Sequence, residues 1–441
     1  MEKSLYRIVY RFINKKILKK KVLIISMHRL ILLFFILFII IHSIYLDYLQ
    51  ATVIDLGIDV LVENHFHGLE GKKIGLITNL SAVNKNGIST LELFYHCPQV
   101  NLVAIFTPEY GLYCMGLDKQ HTAFYIDPYT NLPVYPLQGE TLKPTDDMLA
   151  NLDVLVFDLQ DIGTRSFTFL STMGLAMEAA GENGKEFYVL DRPNPLGGER
   201  VEGMPFNNSF RSFYNEWDIP YIHGMTPCEI AGMINGENWI FKKPKLTLVP
   251  MKGWQRHMLW KDTGLPWLPL SPYLTDEESP FYFAISSFLG LSPVLNNGIG
   301  TALPYKLVGA QKIDPFTFAR NMNKRKIPFC YFRPVFYWPF FGKFQGKTLG
   351  GCQIHIKDFS KVKLVEIGLS LLQEMMTELN QDPLASLTAE QLEFFDRYCG
   401  TDEIRKELLS GKRVQAIVDN WIPYLENFRE KRKKYLLYPS D

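Results

Sequence analysis

Four acidic residues of this sequence lie directly after apolar segments, where a carboxyl group can act as an acid, a base or a nucleophile. Glu109 comes after one such segment, and Asp158, Asp161 and Asp191 come after two others. Apolar neighbours such as Phe106 raise the pKa of a carboxyl group and so keep it protonated, which is the state that a general acid needs. We therefore predict that Glu109 is a general acid and that one of the aspartates is its partner, although each acid alone also fits a salt-bridging or capping role.

The segments before these acids are typical of strands in a parallel sheet. Each is a short apolar run that ends in polar or turn residues, as strands buried on both faces do. Helical segments lie between them, and this alternation predicts an α/β fold in which helices cover a parallel sheet. The predicted strands are residues 73–78, 102–107, 154–158, 187–191 and 246–249, and the predicted helices are residues 89–95, 167–182 and 227–234.

Polar residues at the carboxyl ends of four of these strands are predicted to converge on one rim of the sheet, where the binding crevice of such folds lies. Besides the acids, this rim contains Asn79, Gln160, Arg165, Arg192 and Asn194. We predict that these side chains bind the substrate. Arg165 either pairs with an anionic substrate group or neutralises the aspartate four residues before it.

The sequence changes character at about residue 265. Residues 265–304 are rich in proline and glycine, which indicates connecting loops. We therefore predict a first domain over residues 52–264 and a smaller α+β domain over residues 265–441. The predicted elements of the smaller domain are strands at 331–341 and 351–357 and helices at 363–379, 388–398 and 414–431.

Residues 1–50 predict a membrane-targeting segment. Residues 1–29 carry nine basic side chains and one acid, and an uninterrupted apolar run follows from Leu30 to Ile41. A basic flank before such a run keeps the N-terminus in the cytoplasm and directs the remainder across the membrane. No small-x-small cleavage site follows, so we expect an uncleaved signal anchor. The alternative is a cleaved signal peptide, which translation from Met27 would favour. The body is then membrane-anchored, periplasmic or extracellular.

Composition excludes several classes of protein. The 441 residues carry a formal net charge of +1, but residues 30–441 alone are net acidic, unlike a nucleic-acid binder. A hydrophobic content of 47% excludes general disorder. Metal-ligand spacing, a complete dinucleotide fingerprint and a P-loop are absent, so we expect no metal and no cofactor. The six cysteines are widely separated, which favours core thiols.

Several segments around the candidate acids resemble a known family. They include FTPEYG at 106–111, VFDLQDIGTR at 156–165, DRPNPLGG at 191–198 and HGMT at 223–226. Further matching segments lie at 57–61, 75–79, 251–254, 263–267 and 350–355. Taken in order over residues 57–436, they resemble the NamZ/YbbC family of exo-β-N-acetylmuramidases.

The resemblance implies a Rossmann-like domain and a smaller α/β domain, with the active site in the cleft between them. Members of the family remove N-acetylmuramic acid from the non-reducing ends of peptidoglycan fragments. The family's proposed catalytic glutamate lies in a motif of the form F-S-P-E-H-G, which corresponds to Glu109 here. The matching motifs also place Tyr110 and His223 among the substrate-binding residues.

Several positions depart from the family pattern. Tyr110 replaces the usual histidine, the run SFTF at 166–169 lacks the usual tyrosines, and Tyr273 replaces the asparagine of an S-P-N motif. Residues 296–305 (NNGIGTALPY) lack one acid and two arginines of the family's loop. Each lost charged hydrogen bond costs about 1.5–3 kcal/mol, so we expect weaker recognition of an anionic lactyl group.

These observations predict an exported glycoside hydrolase that releases N-acetylmuramic acid from the non-reducing end of peptidoglycan-derived sugars or muropeptides. Glu109 would protonate the glycosidic oxygen, assisted by one of the three aspartates or by the acetamido group of the substrate. The alternative is a catalytically decayed cell-wall sugar-binding or morphogenetic protein that keeps the cleft without turnover.

Overall fold

The structure is a computed structural model that describes Lys15 and residues 32–42, 53–114 and 124–439. The chain forms two compact units, Met1–Val53 and Ile54–Asp441. In the first unit residues 32–42 are helical (α1). Within the described ranges, no helix has the length and apolar character needed to cross a membrane. The rest of the predicted targeting segment lies outside the described residues.

A seven-stranded sheet forms the centre of the second unit. Its strands are β1 (Lys73–Ile77), β2 (Asn101–Thr107), β3 (Tyr125–Ile126), β4 (Pro133–Pro136), β5 (Val154–Phe157), β6 (Glu186–Leu190) and β7 (Lys245–Val249). They lie in the order β3-β4-β2-β1-β5-β6-β7, and every neighbouring pair except β3 with β4 is parallel. The five strands predicted from the sequence are present, each within one residue at either end.

The strands that precede the candidate site residues end level with one another. Ile77 of β1 lies opposite Phe106 of β2 and Phe157 of β5, and Phe157 lies opposite Val189 of β6. The polar residues that follow these strands therefore lie side by side along one edge of the sheet. The chain order reverses direction between β1 and β5, which is where doubly wound sheets have their crevice.

A smaller antiparallel sheet follows in the second half of the chain. Its strands are β8 (Leu295–Asn296), β9 (Leu307–Ala310), β10 (Cys330–Tyr337) and β11 (Leu349–Ile356), in the order β10-β11-β9-β8. The helices of the second unit are α2 (Gly57–Glu63), α3 (Thr90–Tyr95), α4 (Asp146–Leu149), α5 (Phe169–Glu182), α6 (Pro227–Gly236), α7 (Ser279–Ser286), α8 (Pro315–Lys324), α9 (Leu364–Leu379), α10 (Ala389–Cys399), α11 (Glu403–Leu409), α12 (Val414–Asn420) and α13 (Ile422–Arg432). Helix α8 packs on β10 and β11, and α7 packs on α9.

The helix predicted at 414–431 is two helices, α12 and α13. The break falls at Trp421, whose side chain is buried. Pro423 follows at the second position of α13, where its missing amide hydrogen costs nothing because the first turn of a helix has no acceptor for it. Helical periodicity continues across the break, so the pattern alone merged the two helices.

The end of the chain returns to the first sheet. Arg432 donates hydrogen bonds to the carbonyl oxygens of Gly198, His223 and Gly224 at 3.0, 3.1 and 2.8 Å, and the Tyr438 hydroxyl donates one to Asp191. The last residues of the predicted second domain therefore complete the rim of the first. This interleaving explains why residues 54–441 form one compact unit.

The six cysteines are all free thiols. Cys228, Cys352 and Cys399 are buried and the other three are partly buried. The three buried thiols agree with the prediction of core thiols, whereas the three partly buried ones lie outside the core.

Candidate active site

Glu109 lies in a tight turn that follows β2. The amide of Gly111 donates a hydrogen bond to the carbonyl oxygen of Pro108 at 3.0 Å. Tyr110 (φ +74°) and Gly111 (φ +70°) both have left-handed backbone conformations. A non-glycine residue adopts this conformation at a cost of about 1–2 kcal/mol, and such strain is concentrated at functional sites. The turn projects Glu109 and Tyr110 from the carboxyl edge of the sheet.

The carboxyl group of Glu109 is mostly buried and has an uncharged partner. Its Oε2 accepts a hydrogen bond from the Thr168 hydroxyl at 2.9 Å, and no cation in residues 53–114 or 124–439 contributes to its titration. Burial raises the pKa of Glu109 above its ordinary value, and the hydrogen bond from Thr168 opposes part of this rise because it favours the ionised form. Glu109 therefore holds its proton to a higher pH than an exposed glutamate, as a general acid requires.

A cluster of tyrosines lies around Glu109. Its members are Tyr110, Tyr214, Tyr273, Tyr305 and Tyr398. Burial raises the pKa of Tyr110 and of Tyr214, and the nearby charge of Glu109 raises both further. The rings of Tyr214 and Tyr398 are 5.6 Å apart. A tyrosine hydroxyl can both donate and accept hydrogen bonds, which suits the hydroxyl and amide groups of a sugar.

Both halves of the chain contribute to this tyrosine cluster. Tyr110 and Tyr214 belong to the predicted first domain, whereas Tyr305 belongs to the second. The pKa of Tyr305 is raised by burial and, in part, by Tyr110 and Glu109, which shows that the two halves meet at this point. A site between the halves is what the family resemblance implies.

Asp158 and Arg192 form a buried ion pair. Arg192 donates to both carboxylate oxygens, through Nε to Oδ1 and through Nη2 to Oδ2 at 2.9 Å, and the Thr90 hydroxyl donates to Oδ2 at 2.5 Å. Both side chains are almost fully buried. In this structure the pair ties β5 to the loop after β6, and it presents no free oxygen to a substrate. This differs from the predicted roles of Asp158 in catalysis and of Arg192 in binding.

Both carboxylate oxygens of Asp191 accept hydrogen bonds from groups of the protein. Its Oδ1 accepts a hydrogen bond from the Cys228 amide at 2.9 Å, and its Oδ2 accepts bonds from the hydroxyls of Thr226, at 2.8 Å, and Tyr438. Burial raises the pKa of Asp191 to about 7, although these donors oppose the rise. Asp191 therefore anchors the start of α6 and the end of the chain, instead of facing a ligand as predicted.

Arg165 and Asn194 also bond the backbone. Asn194 accepts from the amide of Leu196 at 2.9 Å and donates to the carbonyl of Met225 at 3.1 Å. Arg165 is 2% exposed, and in this structure it joins chain segments where the sequence suggested a contact with an anionic substrate. Its guanidinium donates to the carbonyl oxygens of Met204, Ile219 and Cys399 at 3.2, 2.6 and 2.7 Å.

Asp161 is the one candidate aspartate with an oxygen that has no hydrogen-bond partner among the described residues. Its Oδ2 accepts from the amide of Gly163 at 2.6 Å, while its Oδ1 has none. His223 Nε2 lies 3.7 Å from Oδ2. Because the amide of Met225 donates to His223 Nδ1 at 3.2 Å, we assign the ring proton to Nε2, on the side of Asp161.

Gln160 and Asn79 each keep one side-chain atom without a partner in the described part of the chain. Gln160 donates to the carbonyls of Asp161 and Pro193, both at 2.7 Å, but its Oε1 is unpaired. Asn79 accepts from the Ser81 hydroxyl at 2.6 Å, but its Nδ2 is unpaired. These unpaired atoms and that of Asp161 lie on the predicted rim, and the unpaired Nε2 of His223 lies beside Asp161; all four side chains are buried.

The crevice between β1 and β5 is filled by the chain itself. Leu265, Trp267 and Trp260 pack there and leave a cavity of about 10 Å³, which Gln160 and Arg192 also line. This space admits nothing larger than one water molecule. The candidate site that remains lies beside the crevice, at the end of β2, where the side chain of Glu109 is partly exposed.

Comparison with known proteins agrees with this arrangement. The family models for the N-terminal and C-terminal parts of exo-β-N-acetylmuramidase NamZ match residues 74–278 and 282–438. The chain belongs to the NamZ family. It is thus a member of a glycoside hydrolase family, and the two matched regions meet close to the boundary between the predicted domains.

Individual relatives cover most of the NamZ-family chain. It is 38% identical over 387 residues to the peptidoglycan β-N-acetylmuramidase NamZ of Bacillus subtilis, which covers 87% of this chain and 91% of that protein. A crystal structure of a DUF1343 family protein from Bacteroides fragilis has a TM-score of 0.82 and 41% identity, covering 88% of this chain and 99% of that one. A second DUF1343 protein from the same organism shares the fold. Its crystal structure has a TM-score of 0.70 and 24% identity, covering 88% of this chain and 99% of that one.

Two residues of the loop at 296–305, which departs from the NamZ-family pattern, have local partners. Asn296 Oδ1 accepts from the amide of Gly298 at 2.8 Å and from the Tyr337 hydroxyl at 3.1 Å, and Asn297 donates to the carbonyl of Ser286 at 3.1 Å. The loop at 296–305 is therefore held by its own amides.

Sequence reasoning missed Thr168 and, apart from Tyr110, the members of the tyrosine cluster as site residues. Thr168 precedes α5 at the same sheet edge as Glu109, and that placement was the available signal. The tyrosines come from separate loops and from α10, so only the tertiary structure brings them together.

Proposed function

We propose that this chain is an exo-acting β-N-acetylmuramidase that releases N-acetylmuramic acid from the non-reducing end of peptidoglycan-derived sugars. The observation that carries the proposal is the environment of Glu109. Its pKa is raised by burial, its one hydrogen-bonding partner in the described chain is a hydroxyl, and tyrosines lie around it. The name of the Bacillus subtilis relative supports the same substrate class.

In the proposed reaction, protonated Glu109 donates its proton to the glycosidic oxygen as the bond between that oxygen and the anomeric carbon breaks. Water then adds to the anomeric carbon and loses a proton. A second group must stabilise the positive charge that develops on the sugar or activate the water. Since every oxygen of Asp158 and Asp191 is bonded within the protein, the remaining choices are Asp161, with its unpaired Oδ1, and the acetamido oxygen of the substrate.

A second candidate function, sugar binding without turnover, is favoured by one specific observation. The family's loop arginines are missing from 296–305, and the guanidinium of Arg165 is committed to three carbonyl oxygens. These positions supply no cation for the lactyl carboxylate, so binding of N-acetylmuramic acid rests on other groups. The mostly buried acid at Glu109 is nevertheless retained, and a binding protein has no use for it.

The deciding experiment measures release of free N-acetylmuramic acid from peptidoglycan fragments and from a chromogenic muramide. We expect the wild-type protein to release the sugar and Glu109→Gln to lose at least 100-fold of the rate, the lower range of a general-acid contribution. Glu366→Gln is the matched control, because burial also raises the pKa of Glu366, which lies on α9. Binding of the sugar by wild-type protein without any release would establish the second function instead.

We also propose that the body acts outside the cytoplasm. The support is the basic flank of residues 1–29 followed by the apolar run that begins at Leu30. Fractionation of cells that express the full chain tests this proposal. An anchor predicts full-length protein in the membrane fraction, a signal peptide predicts a shortened protein outside it, and full-length protein in the cytosol contradicts both.

A further inference from the structure

An aromatic groove lies along β10, the edge strand of the smaller sheet. It encloses about 590 Å³, and its walls include Leu303, Val335, Phe336, Trp338 and Phe340. The side chains of Phe336, Trp338 and Phe340 are 60%, 58% and 64% exposed. Contiguous exposed rings of this kind mark a binding surface, since isolated apolar residues are common on protein surfaces but grouped aromatic ones are not. The volume lies in the range of ligand sites.

The groove begins next to the candidate active site. Leu303 in its wall is two residues before Tyr305 of the tyrosine cluster, so the two lie within about 7 Å along the chain. The backbone amide of Phe340 donates to the carbonyl oxygen of Gly300 at 2.6 Å, which holds the aromatic segment against the loop at 296–305. One loop therefore contributes to both the groove and the surroundings of Glu109.

We propose that this groove binds the glycan chain that continues from the sugar held at Glu109. The proposal rests on the proposed function, because it assigns the groove to the same substrate. A pyranose ring presents a flat face of C–H groups, which packs against aromatic rings and buries apolar area on both sides. Phe336, Trp338 and Phe340 offer such rings in sequence along one groove, as a chain of linked sugars requires.

The polar wall of the groove fits the charge of this ligand. Arg333 is exposed and is held by Gln353, which accepts from its Nε at 3.1 Å and from its Nη2 at 2.7 Å. The bonds orient the guanidinium and leave its positive charge available at the groove. Every N-acetylmuramic acid unit of a peptide-free glycan chain carries a carboxylate, so the cation and the ligand are complementary.

A second copy of the chain is a poorer occupant. Association through the edge of the sheet would pair β10 with a strand of the second copy. This pairing requires free amide hydrogens on the outer side of β10. Pro334, in the middle of β10, has no amide hydrogen. The groove is also concave and carries an arginine, whereas a self-complementary surface must pair with itself about a twofold axis.

The test measures binding by calorimetry in the full chain with Glu109→Gln, so that no turnover occurs. The probes are a peptide-free peptidoglycan glycan of four disaccharide units and the single N-acetylmuramyl-N-acetylglucosamine disaccharide. Adding Trp338→Ala and Phe340→Ala is expected to raise the Kd for the long glycan at least tenfold and to change the Kd for the disaccharide less than threefold. Phe241→Ala is the control, because Phe241 is 86% exposed and distant in sequence from the groove.

Three outcomes would overturn the proposal. The first is an unchanged Kd for the long glycan. The second is an equal loss for both probes in a variant that unfolds at the same temperature as the parent protein, which would mean that the rings do not bind the part of the glycan beyond the first disaccharide. The third is a dimer in sedimentation that Trp338→Ala with Phe340→Ala converts to a monomer. If the long glycan binds through the groove but wild-type protein releases no sugar, the groove stands and the muramidase proposal fails.

Discussion

Removing the Thr168 hydroxyl should move the pH dependence of catalysis upward. The hydroxyl donates to Glu109 Oε2 at 2.9 Å and lowers its pKa. A hydrogen bond to a charged group is worth about 1.5–3 kcal/mol, and one pKa unit corresponds to about 1.4 kcal/mol. Because Glu109 is not fully buried, water replaces part of the lost bond, so we take the lower end. Thr168→Val should therefore raise the pKa of Glu109 and move the basic limb of the pH profile upward by about one pH unit.

The assay is kcat/KM for a chromogenic muramide as a function of pH, because its basic limb reports the acid of the free enzyme. Valine matches threonine in shape, and Thr168 makes no capping bond to α5 through its side chain, so the helix should persist. Thr168→Ser should restore the wild-type limb, and Thr172→Val, one turn further along the same helix, should leave it unchanged. A basic limb that stays in place or moves to lower pH in folded Thr168→Val would refute the assignment of Glu109 as the acid.

Three further predictions concern residues that the structure places in its framework. Tyr438→Phe leaves Asp191 without one donor and should lower the free energy of unfolding, measured in urea, by about 1–3 kcal/mol. The control is Tyr435→Phe, which removes a hydroxyl that donates to Glu237 near the surface and should cost less than half as much. Equal losses of stability in the two variants would contradict the role of the Asp191 contact. Arg165→Lys leaves at least one backbone carbonyl without its donor and should lower the free energy of unfolding by about 1.5–3 kcal/mol. The KM for the muramide should change less than twofold. A raised KM with an unchanged free energy of unfolding would mean that Arg165 binds the substrate. Because the pKa of Asp191 in the fold is about 7 and its unfolded value is near 4, the native state binds the extra proton, so this group's contribution to stability declines as pH rises from about 4 to 7. Urea unfolding at pH 5 and pH 7.5 should show this decline in wild type relative to Asp191→Asn, and parallel pH curves for the two proteins would disprove it.

The strands and the rim could be predicted from the sequence because both depend on local pattern. An apolar run buried on both faces has a recognisable composition, and the level ends of β1, β2, β5 and β6 follow from their parallel pairing. Glu109 was predicted to be the acid for the same reason, since its apolar neighbours precede it in the chain. The break between α12 and α13 was missed because helical periodicity continues across Trp421.

The partners of the polar residues could not be predicted, because they are distant in the sequence. The guanidinium of Arg165 meets a carbonyl 234 residues away, and Asp191 meets a hydroxyl 247 residues away. Burial then decides their roles, because a buried charge must be paired or hydrogen-bonded within the protein and has no capacity left for a ligand.

By itself, then, the sequence determined which edge of the sheet carries the polar residues and led to the proposal of Glu109 as the acid, since both follow from residues adjacent in the chain. Only the tertiary structure decided which of the rim residues hydrogen-bond within the protein and which tyrosines surround Glu109. It also showed that Leu265 and Trp267 fill the crevice between β1 and β5. The physical reason is that the free energy of a polar side chain depends on what lies within a few ångströms of it, and in a folded chain those neighbours come from anywhere in the sequence.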